Sequence, residues 1–278
     1  MLYPHAVDNC SPDLLRETKR AAQSLGVGIE IHVSQTLDEV AVIRQRHGRT
    51  PVELLADIGF LGPEVILGHC LLVKGHSRLG GDPGDELKLI ADAGATVAHS
   101  ARVWAREGVA LESFQRYLDA GIRMTIGTDI WPLDIIEEMR LASFISKIVA
   151  RSTRSATAAD MIMAATLAGA QALGRDDLGR LSPGARADIL LIDIAKSSRI
   201  GPVADPVKGL IAAGAGTDVN TVIVDGRTIV ENREMLGVDE GKLRQEAERV
   251  GAKLRAALSA RDWAGRPEAE IFLPAFAP

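Results

Sequence analysis

Four histidines and one aspartate stand at the ends of short apolar runs in this sequence. They are His5, His32, His69, His99 and Asp129, and successive members lie 27, 37, 30 and 30 residues apart. A strand with its crossover helix takes roughly 30 residues. Because the carboxyl ends of parallel strands meet at one edge of a sheet, these side chains are expected to gather there. Imidazole and carboxylate groups together form a ligand set for a divalent metal.

The segments between these residues have the pattern of helices. Ser11-Pro12 is typical of a helix start, and Thr50-x-x-Glu53 has the spacing of a capping box. Strands that alternate with helices predict an α/β fold with a parallel sheet. Further along, the pattern predicts the following elements: one alanine-rich helix over Thr157–Leu173, a strand over 187–192, a hairpin over 219–231, a helix from Val238 to about Ala260, and an irregular tail over 267–278.

Composition excludes several classes of protein. The 278 residues carry a net charge of −5 without a basic block, which argues against nucleic acid or an anionic membrane as partner. No apolar run approaches the roughly 18–20 residues of a membrane span. Cys10 and Cys70 are the only cysteines, so a reducing, cytoplasmic location is expected. The first residues lack the features of a secretory signal.

Each candidate also has an ordinary structural interpretation. A lone histidine at a strand end is usually a polar rim residue, and an aspartate there often caps a turn. The recurrence of such residues at successive strand ends favours a site. His47 lies in the last turn of a predicted helix and His76 in the loop after the run Val65–Cys70, so both are interpreted as structural or solvated. Trp104 could stack on a planar substrate or lie in a solvated loop, and Trp131 could do the same or pack on the helix that follows it.

Several stretches together resemble the amidohydrolase superfamily. The resemblance spans about residues 3–232, and within the superfamily it favours the branch of atrazine and hydroxyatrazine hydrolases, guanine deaminase and S-adenosylhomocysteine-type deaminases. The matching stretches are Pro4-His5-Ala6, Ile31-His32-Val33-Ser34-Gln35, Gly68-His69-Cys70, Ala98-His99-Ser100, Gly127-Thr128-Asp129, Ala164–Gly174 and Gly179–Ile189. The last two are specific in combination and weak alone.

The resemblance implies a partial (β/α)8 TIM barrel of about the last five βα units. Part of a small accessory β-domain and a C-terminal helix would follow it. The expected boundaries are 1–176 for the partial barrel, 177–234 for the accessory β segment, and 235–278 for the C-terminal helix and tail.

The resemblance also implies roles for particular residues. His32 and Asp129 match metal ligands, and His69 and Asp129 match catalytic groups. The expected substrate contacts are His5, Gln35, His99 and Trp131. The implied cofactor is one divalent metal, Zn or Fe. The implied reaction is hydrolysis of a non-peptide carbon–nitrogen bond, by deamination, or dechlorination, of a small heterocyclic substrate. Family members are often oligomers, so a homo-oligomer is expected.

Two departures from the family pattern affect these expectations. Gln35 stands where many members carry Glu, and the metal-binding His-x-His pair is absent from the sequence. Gln35 is interpreted as a variant tied to substrate class. Because the His-x-His pair is absent, the expectation is an N-terminally truncated chain that binds metal weakly or not at all, and that by itself is inactive and aggregates. An inactive remnant or interaction protein is the alternative, and complementation by a separate chain is less favoured.

Two other kinds of enzyme fit the sequence poorly. A phosphate-binding barrel of the aldolase type is disfavoured, because no Gly-rich loop follows a late strand. A cytidine-deaminase type of zinc site is excluded, because the sequence has no Pro-Cys-x-x-Cys.

Overall fold

Four of the apolar runs form a parallel sheet in the computed structural model, which describes residues 1–80, 84–273 and 275–276. The strands are β1 (Ile29–Val33), β2 (Val65–His69), β3 (Thr96–His99) and β4 (Arg123–Ile126), and they pair in chain order. Leu2 and Ala6 form parallel bridges to Ile29 and His32 of β1, so the first residues run alongside that strand. The predicted α/β class with a parallel sheet is confirmed.

Helices connect the strands and cover the sheet. They are α1 (Pro12–Leu25), α2 (Leu37–His47), α3 (Pro51–Asp57), α4 (Glu86–Ala93), α5 (Ala101–Ala105), α6 (Phe114–Asp119) and α7 (Ile135–Ala150). The Thr50–Glu53 capping box is present at the start of α3. Ser11 caps α1, its hydroxyl accepting the Leu14 N–H. All five residues of β2 are buried, and the core therefore lies on both faces of this strand.

A second, antiparallel sheet lies further along the chain. It contains β5 (Ile189–Ile192), β6 (Val219–Val224), β7 (Arg227–Glu231) and β8 (Glu234–Met235), paired in that order. Asp225 and Gly226 join β6 to β7 with φ of 49° and 77°, the conformation that a tight hairpin turn requires. Helix α10 (Pro206–Ala213) comes before β6 and packs on α7, where Arg140 donates to the carbonyl of Ile211 at 3.1 Å.

The prediction of a single helix over Thr157–Leu173 is wrong. The structure has α8 (Ala158–Ala165) and α9 (Leu167–Ala172), separated at Thr166, whose φ and ψ are −127° and −91°. The hydroxyl of Thr166 donates to the Ile162 carbonyl at 2.6 Å, a bond that competes with regular helix geometry. Gly179 lies against this break, and a Cβ there would be 2.8 Å from the Cα of Leu167. Close backbone packing accompanies the break.

The C-terminal predictions also need correction. The helix predicted to run to about Ala260 is divided into α11 (Glu240–Ala256) and α12 (Leu258–Arg261), and the predicted irregular tail contains the short helix α13 (Glu268–Ile271). Residues 274, 277 and 278 of that tail lie outside the described residues. Across the described part of the chain, no helix combines the length and apolar character needed to cross a membrane.

Candidate metal centre

The parallel register brings the predicted residues to one edge of the sheet. His32 is paired with Gly68, the residue before His69, and Ala98, the residue before His99, is also paired with Gly68. The backbone N–H of His32 donates to the backbone carbonyl of His5 at 2.9 Å. Asp129 follows β4, which continues the same sheet. The carboxyl edge therefore carries residues from five consecutive segments, as the sequence predicts.

The backbone at this edge adopts uncommon conformations. His5, His69, Cys70 and Asp129 have φ of 27°, 67°, 47° and 58°. A positive φ is costly for residues other than glycine and persists where the surrounding structure holds it. Such outliers cluster at functional sites, so their position at the carboxyl edge is independent support for a site there.

Three side chains converge closely enough to share one metal ion. His32, His69 and Asp129 each offer a ligand atom, and these atoms all lie within 4.8 Å of one another. The His69 Nε2 is 3.8 Å from the Asp129 Oδ2, and the rings of His32 and His69 stack at 5.0 Å between centroids. Two imidazoles and a carboxylate form a donor set that suits zinc or iron. The residues present therefore fit a divalent cation.

Burial lowers the pKa of three histidines at this edge. Desolvation is the main cause that lowers the pKa of His69 to about 3, with the nearby His32 adding to it. Desolvation also lowers the pKa of His32, followed by the effect of His5. Burial alone lowers the pKa of His99 to about 4. A neutral imidazole has one nitrogen lone pair, which can either accept a hydrogen bond or bind a metal ion.

Two aromatic side chains contact the histidines directly. The indole N–H of Trp104 donates to the Nδ1 of His69 at 2.9 Å. The Tyr3 hydroxyl lies 3.1 Å from Nδ1 and 3.0 Å from Nε2 of His32. The sequence pattern indicated Trp104 as a possible stacking residue, whereas nothing in it indicated Tyr3. Tyr3 stands two residues before His5, and this spacing alone carries no signal for a contact with His32.

The remaining candidates lie around this centre at different depths. The His5 ring is 5.3 Å from the His32 ring, and Asn9 Nδ2 lies 2.5 Å from His5 Nδ1. His99 is 3% exposed, and its Nδ1 is buried without a hydrogen-bond partner among the described residues. Gln35 is half-buried. Trp131 has 82% of its surface exposed, so the structure does not enclose it in the centre.

Two buried carboxyl groups support the loops of this edge. Glu39 accepts the N–H groups of Ser34 and Gln35, each at 2.8 Å, and burial raises its pKa to about 7. Glu138 is fully buried, and its carboxylate accepts the backbone N–H of Arg102 at 3.0 Å. Sequence reasoning missed both. The Thr36-x-x-Glu39 spacing, which is that of a capping box, was a signal for the first.

The two histidines outside the spacing pattern have structural positions. His47 is the exposed last residue of α2. His76 is buried, its Nε2 lies 2.9 Å from the Ala110 carbonyl, and its Nδ1 accepts the Arg78 N–H.

Comparison with known proteins identifies relatives of this architecture. The family model described as the amidohydrolase family matches residues 1–229. The 5'-deoxyadenosine deaminase of Methanosarcina mazei is 31% identical over 260 residues, which are 92% of this chain and 58% of the relative. The 5-methylthioadenosine/S-adenosylhomocysteine deaminase of Pyrococcus abyssi is 33% identical over 247 residues, covering 87% of this chain and 56% of the relative.

Solved structures of other proteins are also similar to this chain. An adenosine deaminase from Xanthomonas campestris with bound zinc matches with a TM-score of 0.84 and 25% identity, over 91% of this chain and 57% of that one. Atrazine chlorohydrolase from Arthrobacter aurescens, complexed with zinc, matches with a TM-score of 0.78 and 27% identity, over 90% of this chain and 54% of that one. This chain thus spans a little over half the length of the relatives it matches.

Proposed function

The chain belongs to the amidohydrolase family, and from this premise we propose that it carries the metal-binding and proton-transfer residues of a hydrolase acting on carbon–nitrogen bonds of small heterocycles. The observation that carries the proposal is the convergence of His32, His69 and Asp129 within 4.8 Å at the carboxyl edge of a parallel sheet. The deaminases among its relatives support an aminopurine nucleoside as substrate, and the chlorohydrolase supports dechlorination as the second candidate.

We assign His32 and Asp129 as ligands of one divalent cation, zinc or iron. Such a cation, when bound, lowers the pKa of water toward 7 and makes hydroxide available at neutral pH. Asp129 accepts a proton as the water oxygen bonds to the ring carbon. His69, 3.8 Å from that carboxylate, stabilises the charge that develops on the ring. Asp129 then returns this proton to the amino nitrogen, the carbon–nitrogen bond breaks, and ammonia leaves while the hydroxyl stays on the ring carbon.

The finer architecture is part of this proposal. We interpret the parallel sheet and the segment beside β1 as about five βα units of a (β/α)8 barrel within residues 1–176. Residues 177–234 form an accessory β segment, and residues 235–278 form a C-terminal helix and tail. His5, Gln35, His99 and Trp131 are the proposed substrate contacts. The free thiols of Cys10 and Cys70 support a cytoplasmic setting, and self-association remains a prediction.

Zinc titration of the purified chain tests the metal assignment. Catalytic zinc sites normally have three protein ligands, so a pair of ligands predicts weak binding that saturates at about one equivalent. His32→Ala and Asp129→Asn should each abolish it, whereas His47→Ala, at the exposed end of α2, should not. Binding that is absent, or that survives both substitutions, contradicts the assignment and favours the remnant or interaction protein.

Turnover tests the reaction. The zinc-loaded chain is incubated with 5'-deoxyadenosine and, separately, with atrazine, and released ammonia or chloride is measured. Release that disappears in Asp129→Asn supports the proposal. A zinc-loaded chain that releases neither product contradicts catalysis by this chain alone and agrees with the expectation, drawn from the absent His-x-His pair, that it is inactive by itself.

A further inference from the structure

The contact between Trp104 and His69 determines where His69 carries its proton. An indole nitrogen can only donate a hydrogen bond. The Trp104 Nε1 lies 2.9 Å from the His69 Nδ1, so that Nδ1 must be the acceptor. A neutral imidazole has one proton, and it is therefore on Nε2, which faces the Asp129 Oδ2 at 3.8 Å.

Trp104 also contacts the His69 ring and the core. Its ring meets the His69 ring edge-on, with 5.1 Å between centroids and an interplanar angle of 83°. Trp104 is on α5 and packs partly against the core. The start of α5 is anchored by the fully buried Glu138, which accepts the Arg102 N–H. The hydrogen-bond donor Trp104 is thus positioned by α5, a helix that carries none of the proposed metal ligands.

We propose that Trp104 is a positioning residue that locks His69 in the Nε2–H tautomer, so that His69 acts as a hydrogen-bond donor beside the metal pair and not as a third ligand. This proposal rests on the proposed function for its catalytic meaning. Both ring nitrogens of His69 are committed, because the indole occupies the Nδ1 lone pair and Nε2 carries the proton. The cluster of three residues then divides into His32 and Asp129 as ligands and His69 as donor.

The tautomer can be read directly in the metal-free chain. Long-range proton–nitrogen NMR spectra of the ¹⁵N-histidine-labelled chain should show His69 as the Nε2–H form, with the signal assigned by its loss in His69→Asn. In Trp104→Phe the ring remains but the donor is gone. The preference for Nε2–H should then fall by roughly three- to tenfold, the amount that one hydrogen bond supplies. Trp263→Phe, at a tryptophan 90% exposed, should leave the preference unchanged.

A second measurement needs no substitution. In the uniformly ¹⁵N-labelled chain, a coupling across the hydrogen bond should connect the Trp104 indole nitrogen to the His69 Nδ1. Absence of this coupling overturns the proposal, and so does an unchanged tautomer ratio in Trp104→Phe. Both measurements are made without metal or substrate. Failure of zinc binding or turnover would therefore overturn the proposed function while leaving the tautomer result intact.

Discussion

Helices α1 and α11 both begin at a capping side chain, but they differ in how much of the helix is buried. Each starts at a side chain that accepts a hydrogen bond from the first turn, Ser11 in α1 and Asp239 in α11. The 14-residue α1 buries three residues, whereas the 17-residue α11 buries none. Capping signals set where a helix begins, but most helical stability in proteins comes from packing an apolar face. The parallel sheet with its helices should therefore carry the stability of the chain.

Residues with a positive φ also occur in different surroundings in the two sheets. In the antiparallel sheet it occurs at the exposed turn residue Asp225, where turn chemistry explains it. At the carboxyl edge of the parallel sheet it occurs at the buried residues His69 and Cys70. The same backbone conformation therefore serves a turn in one region and the orientation of a site residue in the other.

A matched pair of leucine substitutions should separate the two regions most strongly. Leu67 is fully buried in β2, and Leu243 is exposed on α11. Leu67→Ala should lower the free energy of unfolding by about 2–5 kcal/mol, because it leaves a cavity in the core. Leu243→Ala should change it by no more than about 0.5 kcal/mol. Urea unfolding followed by circular dichroism measures both.

Equal losses for the two leucines would contradict the comparison. They would mean that α11 has a packing partner in solution and contributes to the same cooperative unit as the sheet.

The buried Glu39 should make the sheet region sensitive to pH. Burial raises its pKa to about 7 in the folded chain, from the ordinary value of 4.5. A raised pKa stabilises the folded state at low pH, and this contribution is lost as the pH rises toward 7. Between pH 5 and 8 the free energy of unfolding should therefore fall by roughly 2–3 kcal/mol more in the parent chain than in Glu39→Gln.

Denaturant unfolding at several pH values measures this difference. Glu17→Gln, on the exposed part of α1, is the matched control and should follow the parent chain. If Glu39→Gln also follows it, the Glu39 carboxyl does not carry the pH dependence.

The sequence predicted the sheet and the convergence of the site because both follow from local signals. An apolar run ending in histidine or aspartate marks a strand end, and parallel pairing brings such ends to one edge. The pattern of strand ends therefore located His32, His69 and Asp129 without knowledge of any side-chain direction. The caps at Ser11 and Thr50 were equally local and are present in the structure.

The rest depends on contacts between distant residues. Tyr3 reaches His32 across 29 positions, and Trp104 reaches His69 across 35. Pattern and spacing do not specify which way such side chains point. The helix break at Thr166 has a similar cause, because the backbone of Gly179 packs against it from outside the helix. Packing between segments overrides helix propensity at that point.

Removing one cap from each region should give the smallest difference. Thr50 is buried at the start of α3, where its hydroxyl accepts the Glu53 N–H at 3.2 Å and donates to the buried Glu86. Thr50→Ala removes a cap and leaves a buried carboxyl without that donor, so about 1–2 kcal/mol of stability should be lost.

Asp239→Ala removes the exposed cap of α11, whose Oδ1 accepts the Lys242 N–H at 2.9 Å. Because α11 buries no residue, the loss should appear as faster amide hydrogen exchange in its first turn, with global unfolding unchanged. A fall in global stability on Asp239→Ala equal to that on Thr50→Ala would show that α11 unfolds together with the sheet.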